Sequence, residues 1–230
     1  MSHCSVIAID GPSGSGKSTV AKSLAKELGI LYIDTGAMFR ALAYVANERS
    51  IPLDSDSEVE SFLKSIKVDY QSEEGSLIKV DGIDLSERIR EHHVSKLASI
   101  ISQIAPVRTF LLDFQRELAN SKVCVMEGRD IGTVVFPEAF CKFFVTASIE
   151  VRAKRRYDQL LDKGQEDVDL DQLKKDVKKR DDKDMGRDVA PLKKADDAEL
   201  VDTSEMPLDT VISHLKGMVS NRASEIGINL

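Results

Sequence analysis

The residues best suited to chemistry form a glycine-rich run that ends in a lysine and a serine. Gly11-Pro-Ser-Gly-Ser-Gly16-Lys17-Ser18 fits the pattern G-x-x-x-x-G-K-[ST] at every position. Glycine lets the backbone curl so that its N–H groups face phosphate oxygens, and a following helix adds the positive end of its dipole. The pattern predicts a nucleotide-binding loop made of Gly11, Pro12, Ser13, Gly14, Ser15, Gly16, Lys17, Ser18 and Thr19. In it, Lys17 reaches the outer phosphates and the Ser18 hydroxyl binds Mg²⁺.

Two further polar stretches follow apolar runs. Asp34-Thr-Gly-Ala-Met-Phe-Arg40 comes directly after one run, and Glu127-Gly-Arg-Asp-Ile-Gly132 after another. The carboxyl ends of strands in an open parallel sheet face the ligand crevice. We therefore expect Arg40 to reach a second phosphate group, and Arg129 and Asp130 to lie at the same edge. The plainer alternatives are a solvated helix arginine and a turn with a surface ion pair.

A third set of charges lies between Val151 and Arg187, where the sequence is helical and rich in lysine, arginine and aspartate. Charge runs on long helices are most often solvated faces, and composition alone favours that interpretation. The sharper alternative is a mobile lid that brings cations over a transferred phosphoryl group.

The elements that must position these residues alternate between strands and helices. Short apolar runs predict buried parallel strands at Ser5–Ile9, Ile30–Ile33, Val123–Met126, Phe143–Val145 and Leu200–Asp202. Helical periodicity separates them, which predicts an α/β fold with a parallel sheet covered on both faces. Two strand-like pieces, Lys67–Tyr70 and Leu77–Val80, flank Glu73-Glu74-Gly75 and precede an Asp81-Gly82 turn. They predict a small antiparallel sheet inserted into the alternating chain.

Helix signals are clearest at four places. A helix from Lys17 ends before Gly29, and Ser55-x-x-Glu58 is a capping box for another. We also predict helices from Ser86 to Ile104 and, beyond a break at Pro106, to Leu118. A last helix begins near Pro207.

Composition limits the classes of partner. The 230 residues suffice for one core with a small insert, and the net charge of −7 disfavours nucleic acid and anionic membranes as partners. An anionic small substrate would need a local basic pocket. Three cysteines with no pairing framework suit a reducing cytoplasm, and no apolar run has membrane-spanning length. A cytoplasmic monomer is the default expectation.

Four stretches together closely resemble bacterial cytidylate kinases. They are Asp10–Ser18, Asp34–Arg40, Glu127–Pro137 and Arg180–Leu192, in a resemblance that covers nearly the whole chain. It implies a single P-loop kinase domain over residues 1–230, with a three-layer α/β fold and a five-stranded parallel sheet. It also implies a monophosphate-binding insert at 67–105 and a helical lid at 152–188. The activity implied is transfer of the γ-phosphoryl of ATP, with Mg²⁺, to CMP or dCMP.

The resemblance also implies residue roles. Lys17, Arg129 and Arg180 act on the transferred group, while Arg40 and Arg129 hold the acceptor phosphate. The base and sugar of the acceptor are assigned to Ser99, Arg108, Asp130 and Arg187, and to Thr35 and Asp184, respectively. Ser102 stays an alternative to Ser99, and Arg155 belongs to the lid region without an assigned role. Met185-Gly186 departs from the more polar family pattern.

Two rival functions remain at this stage. One is another small P-loop kinase that acts on thymidylate, adenylate or a non-nucleotide acid, which the Gly-Arg-Asp stretch disfavours. The other is a regulatory module that binds ATP without catalysis, which the number of arginines at predicted strand ends disfavours. No Asn-Lys-x-Asp occurs to recognise guanine. The preference between CMP and dCMP and the tolerance for UMP stay open.

Overall fold

The computed structural model describes residues 4–71, 77–120, 122–162, 164–165 and 167–230. Its regular elements follow in chain order: β1 Val6–Asp10, α1 Lys17–Leu28, β2 Leu31–Asp34, α2 Thr35–Glu48, α3 Asp56–Ser65, β3 Val68–Tyr70, β4 Ile78–Val80, β5 Ile83–Asp84, α4 His92–Ile101, α5 Ala105–Leu118, β6 Cys124–Gly128, β7 Cys141–Thr146, α6 Ile149–Leu161, α7 Leu170–Met185, β8 Glu199–Asp202 and α8 Leu208–Ile226. A 3₁₀ turn covers Arg88–Arg90, and a π-helical segment covers Ile131–Val135.

The chain divides into two compact units, and the first carries the main sheet. This unit consists of the chain up to Ile33 together with Ala119–Leu230. Its five-stranded sheet has the order β2-β6-β1-β7-β8, with parallel pairing of β1 to β6 and β7 and of β7 to β8. Every residue of β1 is buried, because helices cover a strand at the centre of a parallel sheet. The predicted α/β fold is confirmed.

The core of this first unit packs α1 and α8 against the sheet. Large apolar side chains from both helices and from the central strands meet there, among them Ile9, Leu24, Phe143 and Leu215. The parallel strands all end at one edge. Asp10, the last residue of β1, pairs with Gly128, the last residue of β6, and Gly11 follows directly after this pair.

The second unit, Asp34–Leu118, contains α2 to α5 and a three-stranded sheet of order β3-β4-β5. Both strand pairs are antiparallel, which confirms the predicted small antiparallel sheet. The two-residue strand β5 was not predicted, because Ile83–Asp84 is too short to show alternation. The predicted turn at Glu73–Gly75 lies outside the described residues.

Helix boundaries differ from the sequence prediction in two places. The predicted helix Ser86–Ile104 is wrong as one element: a 3₁₀ turn at Arg88–Arg90 precedes α4, which ends at Ile101. Pro106 breaks nothing, because proline is tolerated in the first turn of a helix and α5 begins at Ala105. The charged run between Val151 and Arg187 is two helices, and Asp169 caps the second by accepting from the N–H groups of its first turn.

Within the described residues, no helix by itself combines the length and apolar character needed to cross a bilayer. Only His93–Ile101 taken together with Ala105–Leu118 meets the length and composition criteria, and these two helices are bent by 97°.

Candidate active site

The loop after β1 has a backbone that only glycine permits at its start. Gly11 has φ 153°, and a Cβ atom there would lie 2.0 Å from the carbonyl oxygen of Val145. Gly14 and Gly16 also adopt positive φ, at 78° and 85°. Lys17 then begins α1 and is buried. The loop is therefore preshaped, with its lysine at the amino end of a helix, as a phosphate site requires.

Protein donors hold two carbonyl groups of this loop. Arg152 donates from Nη1 to the Ser13 oxygen at 3.3 Å, and the Thr203 hydroxyl donates to the Ser15 oxygen at 2.8 Å. The Ser15 hydroxyl is fully buried and has no hydrogen-bond partner among the described residues. A buried hydroxyl without a partner is costly unless a ligand satisfies it. Together with the glycine backbone, this fits a bound nucleotide phosphate.

Ser18, the predicted metal ligand, donates its hydroxyl proton to Glu127 at 2.7 Å. Glu127 is buried near the carboxyl end of β6 and also accepts from the Tyr32 hydroxyl. With its proton directed to a carboxylate, the Ser18 oxygen keeps its lone pairs for a cation. In the described residues there is no cluster of three or more acidic, histidine or cysteine side chains for a metal.

Glu127 is a site residue to which the sequence prediction gave no role. The signal was its position, because it stands at a predicted strand end directly before Gly-Arg-Asp. By accepting a hydrogen bond from the Ser18 hydroxyl, this buried carboxylate orients the Ser18 side chain.

Three residues predicted for the acceptor meet in one ion-pair cluster. Asp184 of α7 is 1% exposed and binds Arg187 Nη2 through Oδ1 at 2.5 Å and Arg129 Nε through Oδ2 at 3.3 Å. Arg129 also donates to its neighbouring carbonyl, that of Gly128, at 3.1 Å. The structure thus places two arginines around one buried carboxylate beyond β6. Their roles toward a substrate stay predictions.

A second buried ion pair ties α6 to α7. Arg152 binds Asp181 through two parallel contacts of 2.9 and 2.6 Å and donates from Nε to the Ala147 carbonyl at 2.9 Å. Both side chains are nearly inaccessible to solvent. The solvated-face interpretation of the charged segment is therefore wrong for Arg152, Asp181 and Asp184. Arg180, the predicted catalytic arginine, directly precedes Asp181 on α7 and is half-buried.

Arg155, which had no assigned role, lies against the phosphate-binding loop. Its guanidinium donates to the Thr203 hydroxyl at 3.1 Å and to the Thr203 carbonyl at 2.8 Å. Nη1 would be 3.3 Å from a Cβ atom placed on Gly16. Since Thr203 in turn holds Ser15, Arg155 supports the loop through one intermediary.

Asp10 and Asp130 flank the segment that follows β6. Asp10 is buried and accepts from the N–H groups of Ile131 and Gly132 at 2.9 and 2.8 Å. Burial raises the pKa of the Asp10 carboxyl to about 7, although the two N–H groups oppose the shift. Asp130, predicted to recognise the base, is 7% exposed and precedes the π-helical segment.

The remaining predicted residues lie in the second unit. Thr35 is buried at the start of α2, and Arg40 of the same helix binds Asp34 at 2.9 Å. Arg108 lies over the Phe39 ring at 5.9 Å and donates to the Ser102 carbonyl at 3.1 Å. The Ser99 carbonyl accepts from the Ser102 hydroxyl at 3.2 Å. Both serines are thus near Arg108 in the chain of contacts, and the choice between them stays open.

Comparison with known proteins gives a consistent result. The family profile described as cytidylate kinase matches residues 7–221. The chain is 44% identical over 217 residues to a cytidylate kinase of Halalkalibacterium halodurans, covering 94% of this chain and 97% of that one. It is 45% identical to a cytidylate kinase of a Geobacillus species, covering 94% and 96%.

One solved structure supports the fold alone. An uncharacterised protein from Eubacterium ventriosum aligns with a TM-score of 0.53 at 16% identity, over 94% of this chain and 98% of that chain. The match over nearly the whole length and the identity to curated relatives decide the assignment: this chain belongs to the cytidylate kinase family.

Proposed function

We propose that the chain transfers the γ-phosphoryl group of ATP to CMP or dCMP, giving ADP and CDP or dCDP. The observation that carries this proposal is the first unit's strand edge. There the preshaped phosphate loop follows β1, Glu127 near the end of β6 holds Ser18 of α1, and Asp184 of α7 holds Arg129 and Arg187. Family membership supplies the acceptor class.

The donor side of the reaction uses the phosphate-binding loop, Gly11 to Thr19. Its backbone holds the phosphates of ATP, and Lys17 places a single positive charge at the outer ones. Ser18, oriented by Glu127, is the protein group that would hold Mg²⁺. When bound, Mg²⁺ neutralises charge on the transferred phosphoryl group.

Transfer between two anionic groups needs positioning and charge neutralisation more than proton abstraction. The acceptor phosphate is already ionised, so no strong general base is required. Arg129 and Arg180 are the cations we assign to the transferred group, together with Lys17. The guanidinium fork suits phosphate oxygens because it donates two parallel hydrogen bonds.

Recognition of cytosine is assigned to a carboxylate, a hydroxyl and an arginine. Asp130 and either Ser99 or Ser102 accept from the N4 amine, while Arg108 donates to N3 or O2. Uracil would place a carbonyl oxygen against the carboxylate, and a buried polar site rejects such a mismatch by up to about 10⁴-fold.

The rest of the acceptor is assigned to five residues. Arg40 and Arg129 hold its phosphate, Thr35 and Asp184 lie near the ribose, and Arg187 helps at the base. Asp184 also positions two of the other residues, because it binds Arg129 and Arg187.

Larger-scale features of the sequence prediction belong to the same proposal. They are one kinase domain over 1–230, an acceptor-binding insert at 67–105 and a lid at 152–188. A monomer in the cytoplasm, without nucleic-acid or membrane partners, completes the expectation. Light scattering on a size-exclusion column tests the monomer, and a mass of twice 25.4 kDa or more would contradict it.

The deciding experiment is ADP release with ATP and Mg²⁺ and, in turn, CMP, dCMP, UMP, AMP and dTMP. We expect fast turnover with CMP and dCMP and little with the other acceptors. Turnover with a different monophosphate would keep the phosphate chemistry but contradict the roles of Asp130 and Arg108. Tight ATP binding with no turnover would favour the regulatory module instead.

A further inference from the structure

Asp10 is a buried carboxylate to which the proposed reaction gives no task. It is the last residue of β1 and directly precedes Gly11 of the phosphate-binding loop. Its side chain accepts hydrogen bonds from backbone N–H groups 121 and 122 residues further along the chain. Burying a carboxylate to 5% exposure costs free energy unless hydrogen bonds or opposite charges compensate for the lost water.

The partners of Asp10 are the first two N–H groups of the segment Ile131–Val135. Oδ1 accepts from Ile131 at 2.9 Å, and Oδ2 accepts from Gly132 at 2.8 Å. They are among the N–H groups at the start of a helical segment that have no acceptor inside the segment. Asp130 occupies the N-cap position yet makes no side-chain cap bond within the described part of the chain. Asp10 caps the segment in its place, from a neighbouring strand.

This bond pattern fixes the segment on which Arg129 and Asp130 depend. A Cβ atom on Gly132 would lie 3.4 Å from Asp10 Oδ2 and 3.2 Å from Cδ of Lys142. The turn therefore has little room to move on either side. Register pairing of Asp10 with Gly128 holds the other end of the same short stretch.

We propose that Asp10 is a positioning residue that sets the geometry of Arg129 and Asp130 toward the acceptor nucleotide. It links the strand that carries the donor loop to the turn that carries the acceptor residues. The kinetic part of this inference rests on the proposed function, whereas the structural part does not.

The charges around Asp10 define how it responds to pH. Burial raises the pKa of its carboxyl, as does the nearby Asp130, while the N–H groups of Gly132 and Ile131 and the positive charge of Arg129 lower it. Lys142 contributes its aliphatic stem at Gly132, since its ammonium binds Asp197. Protonation of Asp10 leaves one oxygen as a poor acceptor, and so weakens one of the two bonds.

A wild-type measurement tests the structural part without any variant. The ¹⁵N and ¹H shifts of Ile131 and Gly132 should titrate together with a midpoint near pH 7, while those of Val125 in β6 stay constant. The ¹³Cγ signal of Asp10 is followed in the same titration, and amide shifts at Ile131 and Gly132 that do not follow it would overturn the link between this carboxyl and the turn.

The kinetic part is tested with Asp10→Asn, with Glu225→Gln as the matched control. The asparagine keeps one acceptor oxygen and replaces the other with an amide NH₂ group, which cannot accept, so one of the two hydrogen bonds is lost. Glu225 is exposed on α8, and its change removes the same formal charge. We expect Asp10→Asn to lower kcat/KM for CMP at least about tenfold through KM, with KM for ATP within about twofold. Glu225→Gln should match the wild type.

The pH profile separates positioning from general damage. The ratio of wild-type to Asp10→Asn kcat/KM for CMP should rise between pH 6 and pH 8, because only the wild type gains its second acceptor there. The substrate's own phosphate titrates equally in both assays and cancels in the ratio. Equal losses for CMP and ATP, or a ratio that does not follow the titration of the Asp10 carboxyl, would overturn the proposal.

The two proposals can fail separately. Wild-type protein that does not turn over CMP contradicts the proposed function and leaves the amide titration as the test of Asp10. Wild-type protein that turns over CMP alongside an equally active Asp10→Asn contradicts only the role of Asp10.

Discussion

Two charged regions of the first unit hold their shape in opposite ways. The phosphate-binding loop, Gly11–Ser18, is shaped by its backbone: three glycines adopt positive φ, and its carbonyls are held from outside. The end of α7, Asp181–Arg187, is shaped by side chains, since Asp181 and Asp184 bind arginines from three different parts of the chain. The first region should fail when an atom is added, and the second when a charge is removed.

Gly11→Ala should have the largest effect on ATP binding, because it adds one carbon where no space exists. The new Cβ atom would lie 2.0 Å from the Val145 carbonyl oxygen, and that oxygen belongs to a central strand that cannot yield. We expect the Kd for ATP, measured by calorimetry, to rise at least about 100-fold, which is about 2.7 kcal/mol.

Gly217→Ala is the matched control for this prediction. Gly217 lies inside α8, and apart from the adjoining stretch of the helix itself no described heavy atom comes within 4 Å of a Cβ placed there. Alanine favours a helix by about 0.5–1 kcal/mol over glycine, so this variant should be slightly more stable and bind ATP normally. Normal ATP binding by Gly11→Ala would contradict a loop defined by its backbone.

Asp181→Asn tests the side-chain region. It leaves the Arg152 guanidinium buried without its anion, and breaking a buried pair in this way destabilises by about 3–5 kcal/mol. We expect that loss in the free energy of unfolding, measured with urea. Asp158→Asn breaks the Lys154–Asp158 pair on α6, whose side chains are 59% and 49% exposed, and should cost about 1 kcal/mol or less. Equal losses in the two variants would mean that α7 is not held by its ion pairs.

This contrast also explains what the sequence could predict. The signature of the loop lies within eight consecutive residues, so residue types and spacing are enough to recognise it, although the donors that hold its carbonyls are distant in the chain. The partners at α7 are 29 residues apart for Arg152 and Asp181, and 55 for Arg129 and Asp184. Sequence spacing does not show which of the many arginines pairs with which aspartate. The composition of this segment predicted instead that its charged side chains face the solvent.

The fold follows the same division. Apolar runs predicted all five strands of the parallel sheet, because a buried strand needs continuous apolar residues. The two-residue β5 and the π-helical turn at Ile131–Val135 had no periodic signal, since that turn depends on Asp10 far away in the chain. Glu127 was visible only through its place at a strand end. Family resemblance supplied the residue roles, which neither spacing nor burial states.

The stability of the protein should depend on pH through Asp10. Its pKa rises from 3.8 to about 7 on folding, so between those values the folded state holds a proton that the unfolded chain has released. The contribution of Asp10 to stability therefore falls as pH rises, by about 1.4 kcal/mol between pH 6 and pH 8. Urea unfolding of wild type and Asp10→Asn should show this difference, and parallel curves would contradict it.

Arg155→Lys should give the smallest effect, and it tests the place where a charged side chain supports the backbone-built loop. Arginine spans the hydroxyl and the carbonyl of Thr203, while a lysine ammonium cannot reproduce both contacts in the same geometry. Losing one such bond is worth about 1 kcal/mol, so KM for ATP should rise about 3- to 10-fold. KM for CMP should stay constant, because Thr203 holds the loop through Ser15.

Lys154→Arg is the control on the same helix, since its partner Asp158 is exposed and far from Thr203 in the contact pattern. A rise in KM for ATP confined to Arg155→Lys would show that the loop needs one side-chain support as well as its glycines. Both regions would then depend on side-chain contacts, although the loop would depend on them less than the end of α7 does. Unchanged constants for both variants would mean that the glycine backbone and the bond from Thr203 to Ser15 are sufficient, and that the two regions are built independently.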